Sequence, residues 1–448
     1  MSFDLQRTDT ICAFATAPGE AAIAVVRVSG ARADELRQSI FRPRRGPQRP
    51  FVMTLGDVVD GAGALLDEAL CTSFPAGRSY TGECMFELSI HGSPSRVHAV
   101  TKALVEQGCR PAEPGELTLR AVLTGRLDLA AAEAVDHLIR ARSDAAARAA
   151  LRTLRGGLAQ AITPIREALV DVLAELEARL DFPDEDLGDA ARGRLRNSLR
   201  GAAHSLQRLL SSARYGQRLA QGARVVLFGP PNAGKSTLLN ALVGEERAIV
   251  HESPGTTRDV LEAQTVFQGV PATLVDVAGL RGGDLHPVER MGIERAMQER
   301  DRADVVVALV PAQEPDASVL LLELAAQRDT LLVLSKCDLG GETSLPDTLR
   351  VSAKSGEGLM ELRWQIAQRL VLGAANDEEV VLQNARQEVA VQECAAALDD
   401  AIGAIDAMPD EVTASELRRA ARALDRLLGR DVSADVLDAI FSRFCIGK

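Results

Sequence analysis

The chain has 448 residues, of which 46% are hydrophobic and 25% charged, and this balance is typical of a globular protein with about three domains. A net charge of −12 argues against nonspecific polyanion binding, and an aromatic content of 3% argues against a base-stacking surface rich in aromatic residues. Seven scattered cysteines without a C-x-x-C pair indicate reduced thiols. No apolar run approaches the ~20 residues that span a bilayer, so we expect a cytoplasmic protein.

Residues 1–118 predict an α+β domain. An apolar, β-branched run at 22–28 indicates a strand that Ser29-Gly30 ends, and a short helix follows to Ile40. Further strands are expected at 51–59 and 85–90, and a helix at 95–108 that ends on its glycine.

Residues 119–215 predict helices, because apolar residues recur there at helical spacing. A turn is expected near Gly156-Gly157. The acidic stretch DFPDEDLGD, Asp181 to Asp189, is most simply a solvated loop between two long helices.

Residues 216–373 alternate strand and helix, which predicts a doubly wound, mostly parallel sheet. The strands are expected at 224–228, 271–276, 305–310, 330–335 and 349–352. Residues 374–448 return to helix only, with Thr413-x-x-Glu416 as a capping box that opens one helix. The economical interpretation is one helical domain, split in sequence, with the α/β domain inserted into it.

The stretch GPPNAGKST, Gly229 to Thr237, fits the phosphate-loop pattern of Gly, four residues and Gly-Lys-Ser. A buried strand precedes it and a helix start follows, so backbone N–H groups would converge on a phosphate. Lys235 is expected to reach the β- and γ-phosphates, and the Ser236 hydroxyl to bind Mg²⁺.

Four motifs follow the phosphate loop in the order that a GTPase requires. Thr257 of GTTRD is placed to sense the γ-phosphate and complete the Mg²⁺ shell, and Asp276 to reach the metal's water shell. The Gly279 N–H would contact the γ-phosphate. In SKCD the Asp338 carboxylate would accept from guanine while the Lys336 stem lies over the base, and Ser352-Ala353-Lys354 would supply a backbone N–H to the guanine carbonyl.

Two positions depart from the usual GTPase pattern. Ser335 stands where the base-reading motif begins with Asn, so the preference for GTP over ATP is expected to rest mainly on Asp338. Leu280 stands where Ras-like enzymes place the glutamine that orients water, so another group must do this.

These motifs, with several others, resemble the MnmE (TrmE) family of GTPases of tRNA wobble-uridine modification. The resemblance runs from end to end through DTICAFATAPG, VVRVSG, YTGE, LDLAAAEA, DFPDE, GPPNAGKSTLLNAL, GTTRDV and the terminal FCIGK. It implies an N-terminal folate-binding domain, 1–118, that also dimerises, a helical domain in two parts, 119–215 and 374–448, and an inserted G domain, 216–373.

The resemblance also implies a K⁺ ion beside the phosphates, whose charge replaces that of an arginine finger. Its ligands would be Asn232, His251, Ser253 and Thr256. Glu289 matches the family residue that positions the attacking water, so the catalytic set is Glu289, Lys235 and Thr257. The predicted GTP contacts are Asn232, Ala233, Gly234, Lys235, Ser236, Thr237, His251, Glu252, Ser253, Pro254, Gly255, Thr256, Thr257, Asp276, Val277, Ala278, Gly279, Ser335, Lys336, Asp338, Ser352, Ala353 and Lys354.

By the same resemblance, formyl-tetrahydrofolate would bind at the N-terminal dimer interface and donate a one-carbon unit. Its expected binding residues are Arg27, Glu87, Arg126 and Lys448. The expected partners are a second copy of the chain, an MnmG-type FAD protein in a heterotetramer, and tRNA, with no membrane.

Three alternatives stay open at this level. Cys445 is either a reactive thiol or a buried apolar residue. The chain is alternatively a regulatory GTPase of ribosome assembly, or a nucleotide-binding scaffold with weak turnover. A basic stripe on a C-terminal helix is either a tRNA contact or a solvated face paired with acids, and its members are Arg418, Arg419, Arg422, Arg426 and Arg430.

Overall fold

The computed structural model describes residues 9–181, 189–244, 261–277, 297–313, 329–340, 348–373, 379–444 and 447. The chain divides into two compact units. Unit 1 comprises Met1–Asp136, Leu154–Gln160 and Ala421–Lys448, and unit 2 comprises His137–Thr153 and Ala161–Ala420. No helix in these described ranges is long and apolar enough to cross a bilayer.

Unit 1 contains a seven-stranded sheet in the order β3-β4-β5-β6-β2-β1-β7. Neighbouring strands are antiparallel except for β1 and β7, which are parallel. The strands are β1 (Ile11–Phe14), β2 (Ala21–Ser29), β3 (Phe41–Pro43), β4 (Thr54–Val59), β5 (Leu65–Phe74), β6 (Met85–Gly92) and β7 (Arg110–Pro111).

Alternate residues of this sheet are buried, as expected where only one face of an antiparallel sheet meets a core. In β2, for example, Ala24, Val26 and Val28 are buried beside Phe86 and Leu88 of β6. The predicted strands near 22–28, 51–59 and 85–90 correspond to β2, β4 and β6, although β4 begins only at Thr54. The sequence interpretation missed β1, β3, β5 and β7; β5 carries Asp67 and Glu68, which disfavour a strand prediction.

The helices of unit 1 are α1 (Ala33–Ile40), α2 (Pro94–Glu106), α3 (Glu116–Leu123), α4 (Leu129–Arg140, of which the last four residues belong to unit 2) and the C-terminal helix Ala434–Phe441. The C-terminal helix packs through Leu437 and Phe441 on Leu119 and Leu129 of α3 and α4. The last residues of the chain therefore fold with the first hundred and thirty.

Unit 2 contains a six-stranded sheet in the order β13-β12-β11-β8-β10-β9. All neighbours are parallel except β9 and β10, which confirms the mostly parallel α/β prediction. Its strands are β8 (Ala223–Phe228), β9 (Leu261–Phe267), β10 (Val270–Asp276), β11 (Val305–Pro311), β12 (Thr330–Ser335) and β13 (Leu349–Val351).

The central strands β8 and β11 are buried on both faces, which explains their nearly unbroken apolar sequences. Val225 and Leu227 contribute to one core cluster, and Val226 and Phe228 to a second one. The sequence interpretation missed β9. It reaches β10 through Gln268-Gly269, both with positive φ (46° and 85°), as a two-residue hairpin turn requires.

The remaining helices are α5 (Asp144–Leu154), α6 (Gly157–Asp181), α7 (Asp189–Ser211), α8 (Ala213–Gln221), α9 (Lys235–Val243), α10 (Leu359–Leu370), α11 (Ala385–Ala404) and α12 (Asp410–Leu428), and the C-terminal helix is α13. The turn predicted near Gly156-Gly157 lies between α5 and α6, and a further break separates α4 from α5. Residues 182–188 of the acidic stretch lie outside the described residues.

The predicted capping box at Thr413 is wrong. Helix α12 already begins at Asp410, so Thr413 lies within its first turn and is fully buried. Asp410 and Glu411 occupy the start of the helix instead. Their negative charges interact favourably with the positive end of the helix dipole.

Candidate nucleotide-binding site

The phosphate loop joins the C-terminal end of β8 to the N-terminus of α9. Asn232 and Gly234 both have positive φ, at 61° and 92°, and Gly234 is the residue immediately before the helix. Ala233 between them is fully buried, so the loop is fixed on one side while the exposed Asn232 is accessible. This conformation places the first N–H groups of α9 at the mouth of the loop, where an anion binds.

Lys235 is the first residue of α9 and is only 8% exposed. Its ammonium donates to the carbonyl oxygens of Gly229 and Pro230, at 3.1 and 3.0 Å. Burial lowers the pKa of Lys235, and the carboxylate of Asp276 offsets part of that effect. The negative charge of a phosphate bound at the loop would compensate the positive charge of this buried ammonium.

Ser236 and Asp276 are brought together from α9 and the end of β10. The Ser236 Oγ donates to Asp276 Oδ2 at 2.5 Å, and Asp276 is 9% exposed. A hydroxyl and a carboxylate at the edge of a phosphate loop are the oxygen donors that Mg²⁺ prefers. The residues present therefore fit a Mg²⁺ ion. Thr237 follows as an exposed residue of α9, and Val277 is buried after β10.

Ser335 ends β12 and binds the phosphate loop directly. Its buried Oγ donates to the Ala233 carbonyl at 2.7 Å and lies 3.3 Å from the Val310 carbonyl. The hydroxyl therefore joins the loop that would read the base to the loop that would hold the phosphates. Ser335 stands where the usual motif has Asn.

Asp338 lies in a short 3₁₀ turn just after β12, and its side chain is fixed by Ser352. The Ser352 Oγ donates to Asp338 Oδ1 at 2.7 Å, and Ser352 is fully buried at the end of β13. Lys336, with φ of 58°, places its aliphatic stem beside Gly234 of the phosphate loop. The hydrogen bond from Ser352 thus fixes the position of the exposed Asp338 carboxylate. Ala353 and Lys354, which follow Ser352, are half-exposed and exposed.

Several predicted residues lie outside the described residues. They are His251, Glu252, Ser253, Pro254, Gly255, Thr256, Thr257, Ala278, Gly279, Leu280, Glu289, Cys445 and Lys448.

A second group of predicted residues gathers in unit 1. Arg27 of β2 is paired in register with Glu87 of β6, and their side chains form an ion pair at 2.8 Å. The Arg27 guanidinium also lies 5.7 Å from the centre of the Tyr80 ring. Tyr80 donates to or accepts from Thr118 at 2.8 Å, and burial raises the pKa of its hydroxyl.

The end of the chain reaches the same place. Arg27 Nη1 donates to the Gly447 carbonyl at 3.4 Å, although 420 residues separate them. Gly447 has φ of 97°, and a Cβ on it would lie 2.3 Å from the Phe14 carbonyl oxygen. Arg126 is exposed and lies beside Gly82 of the YTGE loop. A Cβ added to Gly82 would be 3.1 Å from the Arg126 Cγ. The Arg27 guanidinium and the Glu87 carboxylate on one sheet face are the kinds of group that suit the anionic tail and the pterin N–H edge of a folate.

An ion-pair network supports the loop that carries Tyr80. Buried Arg120 donates to Glu83, Glu116 and Asp9, at 3.1, 3.0 and 2.8 Å. Glu83 also accepts from Ser29 Oγ at 2.7 Å. Hydrogen bonds from Arg110 lower the pKa of Asp9. Burial would raise the pKa of Glu116, but bonds from Arg110 and the Glu113 amide outweigh it and lower the pKa.

The predicted basic stripe is partly neutralised, and its last member, Arg430, lies beyond the end of α12 and not on the helix as predicted. Arg418 pairs with Glu177 at 2.8 Å, Arg419 with Asp400 at 2.6 Å, and Arg430 lies 3.7 Å from Asp425. These pairs favour the solvated-face interpretation over a tRNA contact.

Sequence reasoning missed Tyr80, Gly447, and the roles of the Ser335 and Ser352 hydroxyls. Tyr80 lies within the YTGE motif, so that motif was the available signal. No local pattern indicated the other three contacts, since each joins segments that are distant in sequence.

A mostly parallel sheet whose strand ends carry a phosphate loop, an oxygen pair suited to Mg²⁺ and a carboxylate held by a serine hydroxyl is typical of P-loop GTPases. Two family models refine this class: the MnmE helical domain matches residues 129–445, and the GTP-binding protein TrmE N-terminus matches residues 10–126. The chain belongs to the MnmE family of tRNA modification GTPases.

Full-length relatives support this assignment, and each bears the name tRNA modification GTPase MnmE. The protein of Synechococcus sp. (strain JA-3-3Ab) is 42% identical over 453 residues, 98% of each chain. A Thermus thermophilus relative is 41% identical over 444 residues, 98% of this chain and 99% of the relative. The protein of Azoarcus sp. (strain BH72) is 43% identical over 450 residues, 98% of each chain.

Proposed function

We propose that the chain hydrolyses GTP with Mg²⁺, is stimulated by K⁺, and uses this cycle in the modification of tRNA wobble uridine. The observation that carries the choice of GTP is the Ser352–Asp338 hydrogen bond, because it holds one carboxylate at the base-binding end of the sheet. Guanine presents two N–H groups to such an acceptor, N1–H and the 2-amino group, whereas adenine offers no donor on that edge because its N1 is an acceptor and its C2 carries no amino group.

Lys235 and Ser335 prepare the site before nucleotide binds. Lys235 would exchange its carbonyl partners for the β- and γ-phosphates, whose charge favours the ammonium form. Ser335 keeps the phosphate loop aligned with the base-reading loop. Ser236 and Asp276 would hold Mg²⁺, which supplies positive charge to the phosphate oxygens when bound.

The remaining catalytic roles are proposed from the family resemblance. Glu289 would position the attacking water, which Leu280 cannot do, and Thr257 would sense the γ-phosphate and ligate Mg²⁺. K⁺ would bind Asn232, His251, Ser253 and Thr256. Of these residues the structure describes Asn232, which is exposed at the loop mouth.

For unit 1 we propose formyl-tetrahydrofolate binding by Arg27, Glu87, Arg126 and Lys448. The ion pair of Arg27 with Glu87 and the docking of Gly447 support this, since they bring distant segments to one place. The chain would act in the cytoplasm as a homodimer with an MnmG-type FAD protein, to build an aminomethyl or carboxymethylaminomethyl group on the uridine.

The proposed domain boundaries are 1–118 for the folate and dimerisation domain and 216–373 for the G domain. The helical domain would comprise 119–215 and 374–448.

A steady-state assay tests the proposal. GTP hydrolysis is measured in KCl and in NaCl, with ATP as the alternative substrate. We expect turnover that is several-fold faster in KCl and negligible with ATP. The Glu289→Ala variant should bind GTP normally and lose turnover. Equal rates in the two salts would contradict the K⁺ proposal, and normal turnover by Glu289→Ala would contradict its catalytic role.

A further inference from the structure

The connection from β3 to β4 in unit 1 is rich in arginine although the whole chain is acidic. It reads RPRRGPQRP from Arg42 to Pro50, and Phe51, Val52 and Met53 follow. Three of its arginines, Arg42, Arg45 and Arg49, are exposed and form no ion pair with another described residue, and the last two border a groove.

The connection is held firmly to the sheet. Arg44 forms ion pairs with Asp57, at 2.7 Å, and with Glu68, so both of these neighbouring carboxylates bind the same arginine. Gln48 donates to the Cys71 carbonyl at 3.0 Å. The Phe51 N–H donates to the Ser73 carbonyl at 2.9 Å. Arg45 and Arg49 therefore project from an anchored loop whose nearby carboxylates, Asp57 and Glu68, are both bound by Arg44.

These arginines border a groove of about 700 Å³ with an apolar floor. It is lined by Arg44, Arg45, Gly46, Pro47, Arg49, Val52, Met53, Thr54 and Leu55. Val52 and Met53 are 48% and 60% exposed. We call this feature, together with Phe51 and Arg78, the arginine groove.

Phe51 adds an unusual aromatic group next to the groove. Its φ is 62°, a left-handed conformation that is a genuine outlier for a bulky residue. Phe74 meets the ring edge-on at 5.7 Å, and the Arg78 guanidinium lies 4.5 Å from its centre. Despite both contacts Phe51 stays 43% exposed, so the backbone strain holds an aromatic ring at the surface.

We propose that the arginine groove binds RNA, with phosphates on Arg45 and Arg49 and one unpaired base on Phe51. Unpaired guanidinium groups on a fixed loop suit phosphates, and an exposed aromatic ring next to an arginine suits base stacking. The inference rests on the proposed function, in that the RNA would be the tRNA substrate and the stacked base one of its unpaired loop bases.

Charge favours RNA over a second copy of the chain in this groove. A symmetric dimer built on it would place the same surface on both sides of the interface. Arg45 and Arg49 would then face arginines of the partner, while the nearby carboxylates of Asp57 and Glu68 are already bound by Arg44.

The test measures binding of an unmodified tRNA transcript with a wobble uridine, and of a ten-nucleotide oligouridine, over a range of salt concentrations. The Arg45→Ala/Arg49→Ala variant should bind the transcript about 25-fold more weakly at 0.1 M salt, because each lost phosphate contact removes a factor of roughly five. The slope of log affinity against log salt should fall by about 1.5. GTP hydrolysis without RNA should be unchanged.

The charge-matched control is Arg32→Ala/Arg208→Ala. Both of its arginines are exposed, but each is already paired, with Glu35 and Glu379. This variant should retain the wild-type affinity and salt slope. Equal affinities for the two double variants, or a loss of dimer in Arg45→Ala/Arg49→Ala with unchanged RNA binding, would overturn the inference.

Phe51→Gly tests the aromatic ring separately. Glycine adopts the positive φ without strain, so this change removes the ring and keeps the backbone conformation. We expect about tenfold weaker binding of the oligouridine with an unchanged salt slope, since stacking contributes roughly 1–3 kcal/mol per base. Unchanged oligouridine binding would remove Phe51 from the site. Failure of the wild-type chain to bind either RNA would contradict the tRNA-binding part of the proposed function itself.

Discussion

The nucleotide site of unit 2 is constructed differently from the proposed folate site of unit 1. We call the latter the Arg27 site, after the residue that contacts Glu87, Tyr80 and Gly447. The nucleotide site takes its residues from loops that directly follow the parallel strands β8, β10, β12 and β13, so strand ends place them together. The Arg27 site takes residues from the middle of antiparallel strands, from the YTGE loop and from the chain terminus.

This difference predicts different sensitivities. Backbone pairing positions the nucleotide site, and single hydroxyl groups such as those of Ser335 and Ser352 refine it. In the Arg27 site backbone pairing of β2 with β6 sets Arg27 opposite Glu87, but a side-chain contact across 420 residues brings in the chain terminus. We therefore expect the Arg27 site to be disrupted by changes far from any ligand, and the nucleotide site to tolerate changes in its supporting residues better.

The largest expected effect follows from loss of the Arg120 network. Arg120→Met leaves Glu83 and Glu116 buried or half-buried with fewer cationic partners, and we expect a loss of about 3 kcal/mol in stability. The measurement is the midpoint of urea unfolding, together with folate affinity. GTP turnover should change little, because the network lies in unit 1.

The same network gives unit 1 a pH dependence. The pKa values of Asp9 and Glu116 are lowered in the folded chain, so their stabilising contribution is present above the ordinary values of 3.8 and 4.5 and is lost as the pH falls further. Arg120→Met should make this acid-induced loss shallower. The exposed Arg32–Glu35 pair provides the control, and Arg32→Ala should leave the unfolding midpoint unchanged. An equal loss in both variants would contradict the role of the network.

A smaller effect is expected from Gly447→Ala. The new Cβ would lie 2.3 Å from the Phe14 carbonyl oxygen, so the tail must move and Arg27 loses its contact with Gly447. We expect folate affinity to fall about tenfold, since a hydrogen bond to a charged group contributes about 1.5 kcal/mol, while GTP turnover stays normal. Equilibrium binding of a reduced folate measures the change.

Gly156→Ala is the matched control for backbone strain. Gly156 also has a positive φ, 84°, but a Cβ there would meet no atom within 4 Å. If both variants lose folate affinity equally, backbone strain and not the docking of the tail is responsible.

The two sites also differ in how much the sequence could predict. Gly234, Lys235, Asp276 and Asp338 were predictable because each sits at a fixed offset from a strand that the apolar pattern indicates. The Gly447 contact was not predictable from any local pattern, and only the family resemblance, which assigned Arg27 and Lys448 to one folate site, indicated that the chain terminus lies near Arg27. The strand β9 was missed because its Gln-Gly turn is a weak hairpin signal.

The smallest predicted effect concerns Ser335. It tests whether the nucleotide site tolerates the loss of a supporting residue, as we expect. Ser335→Ala leaves the Ala233 carbonyl without its 2.7 Å donor and frees the base-reading loop from the phosphate loop. We expect about fivefold weaker GTP binding, since a net hydrogen bond contributes about 1 kcal/mol. Equilibrium binding of a fluorescent GTP analogue measures this.

Ser335→Asn separates the two roles that this position could have. The longer amide still has an N–H group to donate to the Ala233 carbonyl, so GTP affinity should stay within about twofold of wild type if alignment of the loops is the role. In both variants the ratio of GTP to ATP affinity should be unchanged, because Ser352 still holds Asp338 in place. A fall of that ratio in Ser335→Ala would mean that the buried hydroxyl takes part in reading guanine, and that the nucleotide site depends on Ser335 for selectivity as well as for loop alignment.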